Sequence, residues 1–310
     1  MSTIYINTEF NIPEESEAIF VADFFAEDLI GGAELTSEAI INASPYKIFK
    51  LHSHSLTEEM IKSNLDKVWI FGNYVNVKPY LLGLFVALKI KYYFFEYDFK
   101  PCIARSTIKH QLHANKSCDC HTNQFGNFNA LFMTGAKVLF WCSEKQKEKF
   151  YSLYPGYRGL TQDFIQGSTF YPETIENIRK IRRKKESGEL KVENRWAILG
   201  STSWIKGTED AISYCLAKDM EYIILENLTN EEFLEELAKS KGLIFFPRDI
   251  DVGSRITTEC KLLGGQPIVN DFVLHVTEDW INKSIPEIEE YLLDGPNRFW
   301  RKLLEAEKQA

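Results

Sequence analysis

One rhythm constrains this chain more than any other feature. Short apolar runs rich in β-branched and aromatic residues alternate with stretches of helical spacing, and the series occurs twice. The first series places strands at 18–25, 46–51, 68–71, 92–97 and 137–141, with helices at 33–42, 57–63, 80–89 and 144–154. The second places strands at 196–199, 222–225, 243–246 and 267–269, with helices at 208–216, 229–239 and 255–263. Alternation of this kind means βαβ units and mostly parallel sheets. Between the two series lies a polar interval, 173–194, whose run 178–185 reads Ile-Arg-Lys-Ile-Arg-Arg-Lys-Lys and is too charged for a core.

A length of 310 residues is long for one core, so two domains are expected, each of about 150 residues. The predicted architecture is α/β, with two Rossmann-like domains whose parallel sheets face a central cleft. The domains are 1–170 and 171–310, with the junction near 168–175. A helix at 285–308, carrying Phe299, Trp300, Leu303 and Leu304, is expected to pack back across the domains.

Charge and cysteine usage narrow the class. Thirty-six basic against forty-four acidic residues leave a net charge of −8, which argues against a protein that holds nucleic acid by overall charge. No stretch is apolar enough to span a membrane, and the opening MSTIYINTEF lacks the basic and apolar regions of a secretory leader. Six scattered cysteines are unlike a small disulfide scaffold, so a reducing, cytoplasmic setting is expected.

Ligands of such sheets gather at the carboxyl ends of strands, and three strand-end loops carry suitable chemistry. The first, 26–34, holds paired Gly31 and Gly32 ahead of a helix; bare backbone amides and the helix start suit a phosphate, although a simple glycine turn has the same appearance. The second is Gly200-Ser-Thr-Ser-Trp-Ile-Lys-Gly207, where Ser201 and Ser203 offer hydroxyls and Lys206 a mobile cation for a diphosphate. It lacks the glycine and Gly-Lys-Ser/Thr order of a P-loop, and an exposed loop lysine is the plainer alternative. The third loop ends in Asp251 and reaches Glu259 on the following helix. Two carboxylates can hold sugar or ribose hydroxyls, or Asp251 can cap a turn while Glu259 pairs with Arg255 one helical turn away.

In this order and at these strand ends, the three motifs resemble the retaining nucleotide-sugar glycosyltransferases of the GT-B fold, family 4 type. The resemblance spans most of 18–290 and includes Lys261-Leu-Leu-Gly-Gly-Gln-Pro-Ile-Val-Asn-Asp271, similar to the segment that closes the donor site. It implies that Gly32 lies against the donor phosphate, that Lys206 neutralises the leaving diphosphate, that Asp251 holds the transferred sugar, and that Glu259 holds the ribose. Two positions depart from the pattern. Ser201 stands where the family usually has arginine, so Arg255 or Arg248 is the candidate second cation, and Asp251 replaces the usual glutamate. After the strand 92–97 the resemblance places a residue near the sugar, with Glu96 and Asp98 as the candidates and a strand-end turn capped by Asp98 as the alternative.

The remaining motif is His110-x2-His113-x4-Cys118-x-Cys120-His121. Thiolates and imidazoles are zinc donors, but the spacing matches no standard finger. Either these residues hold a structural zinc or they belong to a long acceptor-side loop, 100–127, with too few apolar residues to be core.

The expected activity is therefore transfer of a sugar from a UDP- or GDP-sugar to an acceptor hydroxyl, with retention at the anomeric carbon and no metal required for that step. The acceptor is a glycan, a metabolite or a hydroxylated base in DNA; the last would use the basic run to contact phosphates. A nucleotide-sugar-binding module without turnover is the alternative, favoured by Ser201. A dinucleotide-dependent oxidoreductase is disfavoured because no Gly-x-Gly-x-x-Gly follows either first strand.

Overall fold

In the computed structural model, residues 11–309 are described, so the opening decapeptide on which the reading of a missing leader rests lies outside them. The chain divides into two compact units. One runs through Thr169 and takes in the stretch from Asp294 onward, and the other is Phe170–Leu293.

The first unit contains β1 (Ala18–Ala22), α1 (Gly32–Asn42), β2 (Ile48–His52), α2 (Glu58–Lys62), β3 (Val68–Phe71), α3 (Pro79–Ala87) and β4 (Tyr92–Glu96). It continues with α4 (Thr107–Ala114), α5 (Gln124–Thr134), β5 (Val138–Trp141), α6 (Glu144–Leu153) and β6 (Gln162–Ile165). Its six strands lie in the order β2-β1-β3-β4-β5-β6, and every pairing is parallel. β1 (Ala-Ile-Phe-Val-Ala) is buried along its whole length, as a central parallel strand covered on both faces must be. One face packs Trp69, Phe71, Phe85, Tyr92 and Phe132 edge to face or stacked, with ring centroids such as Phe71–Phe132 5.1 Å apart.

The second unit contains α7 (Pro172–Glu186), β7 (Trp196–Leu199), α8 (Thr208–Ala217), β8 (Tyr222–Leu225), α9 (Asn230–Lys239), β9 (Gly242–Phe245), α10 (Arg255–Leu262) and β10 (Gln266–Val269). Its four parallel strands lie in the order β10-β9-β7-β8. The final helix, α11 (Ile285–Lys308), gives Ile288 and Leu292 to the core of this unit. Its later residues belong with the first unit: the Phe299 ring lies 4.3 Å from Phe140, and Trp300 Nε1 donates to the Ile40 carbonyl at 2.8 Å. The sequence pattern groups 171–310 together; the residues after Leu293 instead bury their aromatic side chains among strands of the first sheet.

Three segments differ from the sequence expectation. β1 stops at Ala22 rather than residue 25, which frees Asp23 for a turn. The stretch 100–127 is not one loop: Ser106 caps α4 by accepting from the Lys109 amide, and Asn123 caps α5 by accepting from the Gly126 amide. The basic run lies on α7, a helix with Ile175, Ile178 and Ile181 buried. Its cations are engaged within the unit: Arg179 and Arg182 both reach Glu289 at 2.8 Å, Lys184 reaches Glu235, and Lys185 donates to the Leu263 carbonyl. Lys185 is further held below the usual lysine range by burial. Those contacts remove the argument that these four side chains bind DNA phosphates. Among the described residues no helix is long and apolar enough to cross a membrane.

Candidate functional site

In an open parallel sheet the ligand crevice forms where the strand order reverses, outside the carboxyl ends of the two strands that flank the reversal. In the second unit that point lies between β7 and β9, since the chain passes from β7 outward to β8 and returns on the other side of β7. The loops that leave these two strands carry Lys206 and Asp251. Their side chains meet across the crevice, Lys206 Nζ to Asp251 Oδ2 at 3.1 Å, with 41% of the lysine side chain exposed and 13% of the aspartate.

Backbone shape sets the lysine in place. Gly207 has φ +66°, the left-handed region, and a Cβ there would stand 1.8 Å from the Phe246 carbonyl oxygen. Only glycine lets the loop after β7 turn so close to the loop after β9, and the Arg248 amide donates to the Ile205 carbonyl at 2.7 Å on the same seam. Gly200 is equally confined, 2.5 Å from Glu226 Cβ if it bore a side chain. Ser201 Oγ accepts from the Ser203 amide at 3.2 Å, so it shapes the loop as well as offering a hydroxyl. Gly207 is also the residue capping α8, and no side chain covers that helix start. Its amides therefore remain suited to an anion.

Asp251 is fixed through its main chain, donating from N to the Phe272 carbonyl at 2.9 Å and accepting from the Leu274 amide at 3.0 Å. One turn into α10, Arg255 and Glu259 face each other at 3.9 Å, each side chain only 11% exposed. The pairing expected from their i,i+4 spacing is present, but it is buried rather than on the surface. Burial raises the Glu259 carboxyl above its ordinary range, and burial lowers Arg255 from the usual arginine range. The Arg255 guanidinium lies 3.8 Å over the Phe170 ring, a cation–π contact in a desolvated place. Arg248 is committed elsewhere, bound to Asp210 at 2.5 Å and to Glu209 at 3.2 Å on α8. Of the two candidate second cations, Arg255 therefore stands beside Glu259.

The sequence reading missed His275. It is fully buried, with Nε2 2.9 Å from Thr257 Oγ1, and desolvation depresses its pKa to about 4 despite the charge of Asp251. It braces the α10 segment that presents Glu259. A lone histidine among Leu, Val and Thr gave no signal of this role in the sequence.

The first unit reverses its strand order between β1 and β3, and there Asp23 joins the two loops. It accepts from Ser53 Oγ at 2.5 Å and from the Val75 and Asn76 amides at 3.1 and 3.2 Å. Asp98, a candidate catalytic residue, is gripped by the Arg105 guanidinium and by Lys100 Nζ at 2.9 Å. Burial alone would raise its pKa, but Lys100 and Arg105 outweigh that and hold it below the ordinary carboxylate range. Its neighbour Glu96 is fully buried, and burial raises its pKa. Of the pair, Asp98 is thus the permanent anion and Glu96 the group able to carry a proton.

Gly31 caps α1 without a side-chain hydrogen bond, and Gly32 is the first helical residue. Close over them sits the Glu34 carboxyl, raised in pKa chiefly by burial; an added Cβ on Gly31 would stand 2.3 Å from Glu34 Oε2. The carboxyl thus lies close to the glycine pair that the resemblance sets against the donor phosphate.

At the same carboxyl ends opens a cavity of about 590 Å³. Tyr74, Tyr80, Phe125 and Phe128 give it an aromatic wall, and Lys100, Arg105 and Asn129 its polar groups. A largely apolar concavity with a few convergent polar groups suits a small molecule. The cysteine and histidine residues of the 110–121 motif separate into two sets. His110, Cys118 and Cys120 converge with Cys102, while His113 is exposed and His121 stands outside the cluster.

No protein-family model matches the chain, and no curated protein matches it. Solved structures do match in fold. A UDP-forming α,α-trehalose-phosphate synthase from Burkholderia xenovorans in complex with glucose-6-phosphate superposes with TM-score 0.57 at 9% identity, over 95% of this chain and 100% of that one. The apo structure of OtsA gives TM-score 0.57 at 8% identity, covering 94% of this chain and 99% of the other. A trehalose-6-phosphate structure from E. coli bound with UDP-2-fluoro glucose gives 0.55 at 8%, again over 94% and 99%. At these identities the likeness speaks to fold, and the fold is that of the GT-B class, two α/β units each built on a parallel sheet.

Proposed function

We propose that this protein is a glycosyltransferase that moves a sugar from a UDP- or GDP-sugar to the hydroxyl of a small acceptor, with retention at the anomeric carbon. The observation that carries the proposal is the meeting of Lys206 and Asp251 across the strand-order reversal of the second unit, with Glu259 on the helix that follows. Solved structures of this fold include one bound with UDP-2-fluoro glucose, which supports a nucleotide-sugar donor.

The roles follow from the chemistry. A part-exposed ion pair is worth at most about 1 kcal/mol, so a donor can draw Lys206 off Asp251 at little cost. The ammonium then meets the diphosphate, joined by the uncovered amides at the start of α8, and Asp251 is released to accept hydrogen bonds from the sugar hydroxyls. Glu259 is assigned to the ribose, and Arg255 beside it to the second positive charge. Charge building on the departing diphosphate is thus met by groups already oriented, which is where most of the rate enhancement of such a site arises. The aromatic cavity of the first unit is assigned to the acceptor, a metabolite or glycan terminus rather than a DNA base. Asp98, held as an anion by the Lys100 and Arg105 side chains that line this cavity, is assigned to the acceptor side of the first unit.

Nucleoside-diphosphate release is measured with UDP- and GDP-sugars and a panel of small acceptors, and the anomeric configuration of the product is read by NMR. Lys206→Ala is expected to lower kcat by about 10²–10³, in keeping with removal of one charge-stabilising donor. Turnover unchanged in Lys206→Ala refutes the assignment. Nucleotide-sugar binding without transfer under any acceptor identifies a binding module instead.

A further inference from the structure

Apart from the sugar-transfer machinery, the first unit brings four soft ligands to one point. Cys102 Sγ lies 3.5 Å from His110 Nδ1, Cys120 Sγ lies 3.2 Å from the same nitrogen, and Cys118 Sγ lies 3.5 Å from Cys102 Sγ. All four ligand atoms fall within 4.8 Å of one another. With Zn–S of about 2.3 Å and Zn–N of about 2.0 Å, a tetrahedral site separates sulfurs by about 3.8 Å and sulfur from nitrogen by about 3.5 Å. The Cys102–His110 contact has the length of a tetrahedron's edge, and the other two fall within about 0.3 Å of one. A disulfide would instead need the two sulfurs of Cys102 and Cys118 to close to about 2.05 Å.

We propose that Cys102, His110 Nδ1, Cys118 and Cys120 bind one structural zinc ion. The surroundings are arranged for it. Cys102 and Cys120 are buried, and His110 is the one buried side chain of α4. Burial raises both the Cys102 and Cys118 thiols, and the Ala104 amide directed at Cys102 and the Cys120 amide directed at Cys118 offset part of that rise. With Nδ1 turned to the sulfurs, His110 Nε2 looks toward Asp119 Oδ1 at 4.0 Å, a carboxylate on the side where a metal-bound imidazole takes its outer partner. Four protein ligands leave no open position, so the site is structural rather than catalytic.

The fold also shows what the ion would hold. Apart from the metal ligands themselves, this corner is packed by little more than Phe99, Ala104 and Leu153. Cys102, Ile103 and Arg105 line the aromatic cavity, so a clamp on Cys102 fixes that wall and the guanidinium that grips Asp98. The four ligands belong to the first unit and the proposed donor residues to the second, and the presence of the ion does not depend on the activity proposed above.

The test is metal analysis of the full-length protein purified without chelator from zinc-supplemented cells. One zinc per chain is expected. Cobalt exchanged into the site should give the intense visible bands of tetrahedral thiolate coordination. Cys118→Ser and His110→Ala should lose the bound metal, whereas His113→Ala and His121→Ala should keep it. Because a ligand variant can misfold, wild-type protein stripped with a chelator provides the second readout: trypsin should cut it first after Arg105, Lys109 or Lys116, and zinc should restore protection. Zinc below a tenth of an equivalent, iron in its place, a Cys102–Cys118 disulfide in the purified protein, or zinc retained at wild-type affinity in Cys118→Ser each overturns the proposal.

Discussion

Gly207→Ala tests the geometry that places Lys206. The native φ of +66° costs an alanine about 1 kcal/mol, and the smaller entropy of the unfolded chain returns about 0.4–1 kcal/mol of that. The larger effect is steric. The new Cβ would stand 1.8 Å from the Phe246 carbonyl oxygen, whereas a carbon needs about 3.3 Å, so one of two loops must move by about 1.5 Å. Forced displacement of packed backbone costs about 1–3 kcal/mol, giving a net loss of about 1–3.5 kcal/mol. Gly264→Ala is the matched control: φ is +72° in the same unit, but nothing lies within 4 Å, so only the strain and entropy remain and the loss stays under about 1 kcal/mol. Native-state hydrogen exchange of the β7 and β9 amides reads the local stability of the second unit without assuming that the whole chain unfolds as one. Equal losses in the two variants would show that the seam between the loops is not as tight as drawn, and with it the positioning of Lys206.

Three further outcomes follow from the same structure. His275 titrates near 4 when folded against about 6.5 when unfolded, so between these values the unfolded chain binds more protons and stability falls as pH drops; the loss approaches about 3 kcal/mol by pH 4, and His275→Gln, measured by urea unfolding across pH 7 to 4, should flatten that slope. Arg255→Met leaves Glu259 buried without its cation and should cost about 3 kcal/mol at pH 7. Because Glu259 already has a raised pKa, protonation at lower pH should recover part of that loss; a deficit that does not shrink with acid shows that the pair is not coupled. Phe299→Ala empties a fully buried site against Phe95 and Phe140 and should destabilise the first unit by about 3–5 kcal/mol, read by exchange at β4 and β5.

Local pattern determined a good deal of this protein. Burial on both faces of a parallel strand demands near-continuous apolar runs, so nine strands could be read from residues such as Ala18–Ala22 and Tyr222–Leu225, and with them the loops that hold Gly31, Lys206 and Asp251. The i,i+4 spacing of Arg255 and Glu259 fixed their pairing as well. Where pattern was weak the elements were missed. β6 reads Gln-Asp-Phe-Ile at a sheet edge, and α5 is diluted by glycine and asparagine. Other facts depended on residues distant in the chain. Strand order decides that the loops after β7 and β9 are neighbours, so Lys206 meets Asp251, forty-five positions away. Packing buries Arg255 on Phe170 and turns a surface pair into a desolvated one. The metal-binding motif shows the same division: the spacing of His110, Cys118 and Cys120 was visible, but Cys102 joins them only when the chain folds back after β4, and His113 drops out because it faces away. Periodicity reports which side of an element is buried, whereas a site requires knowing which elements lie side by side, and only the assembled sheet supplies that.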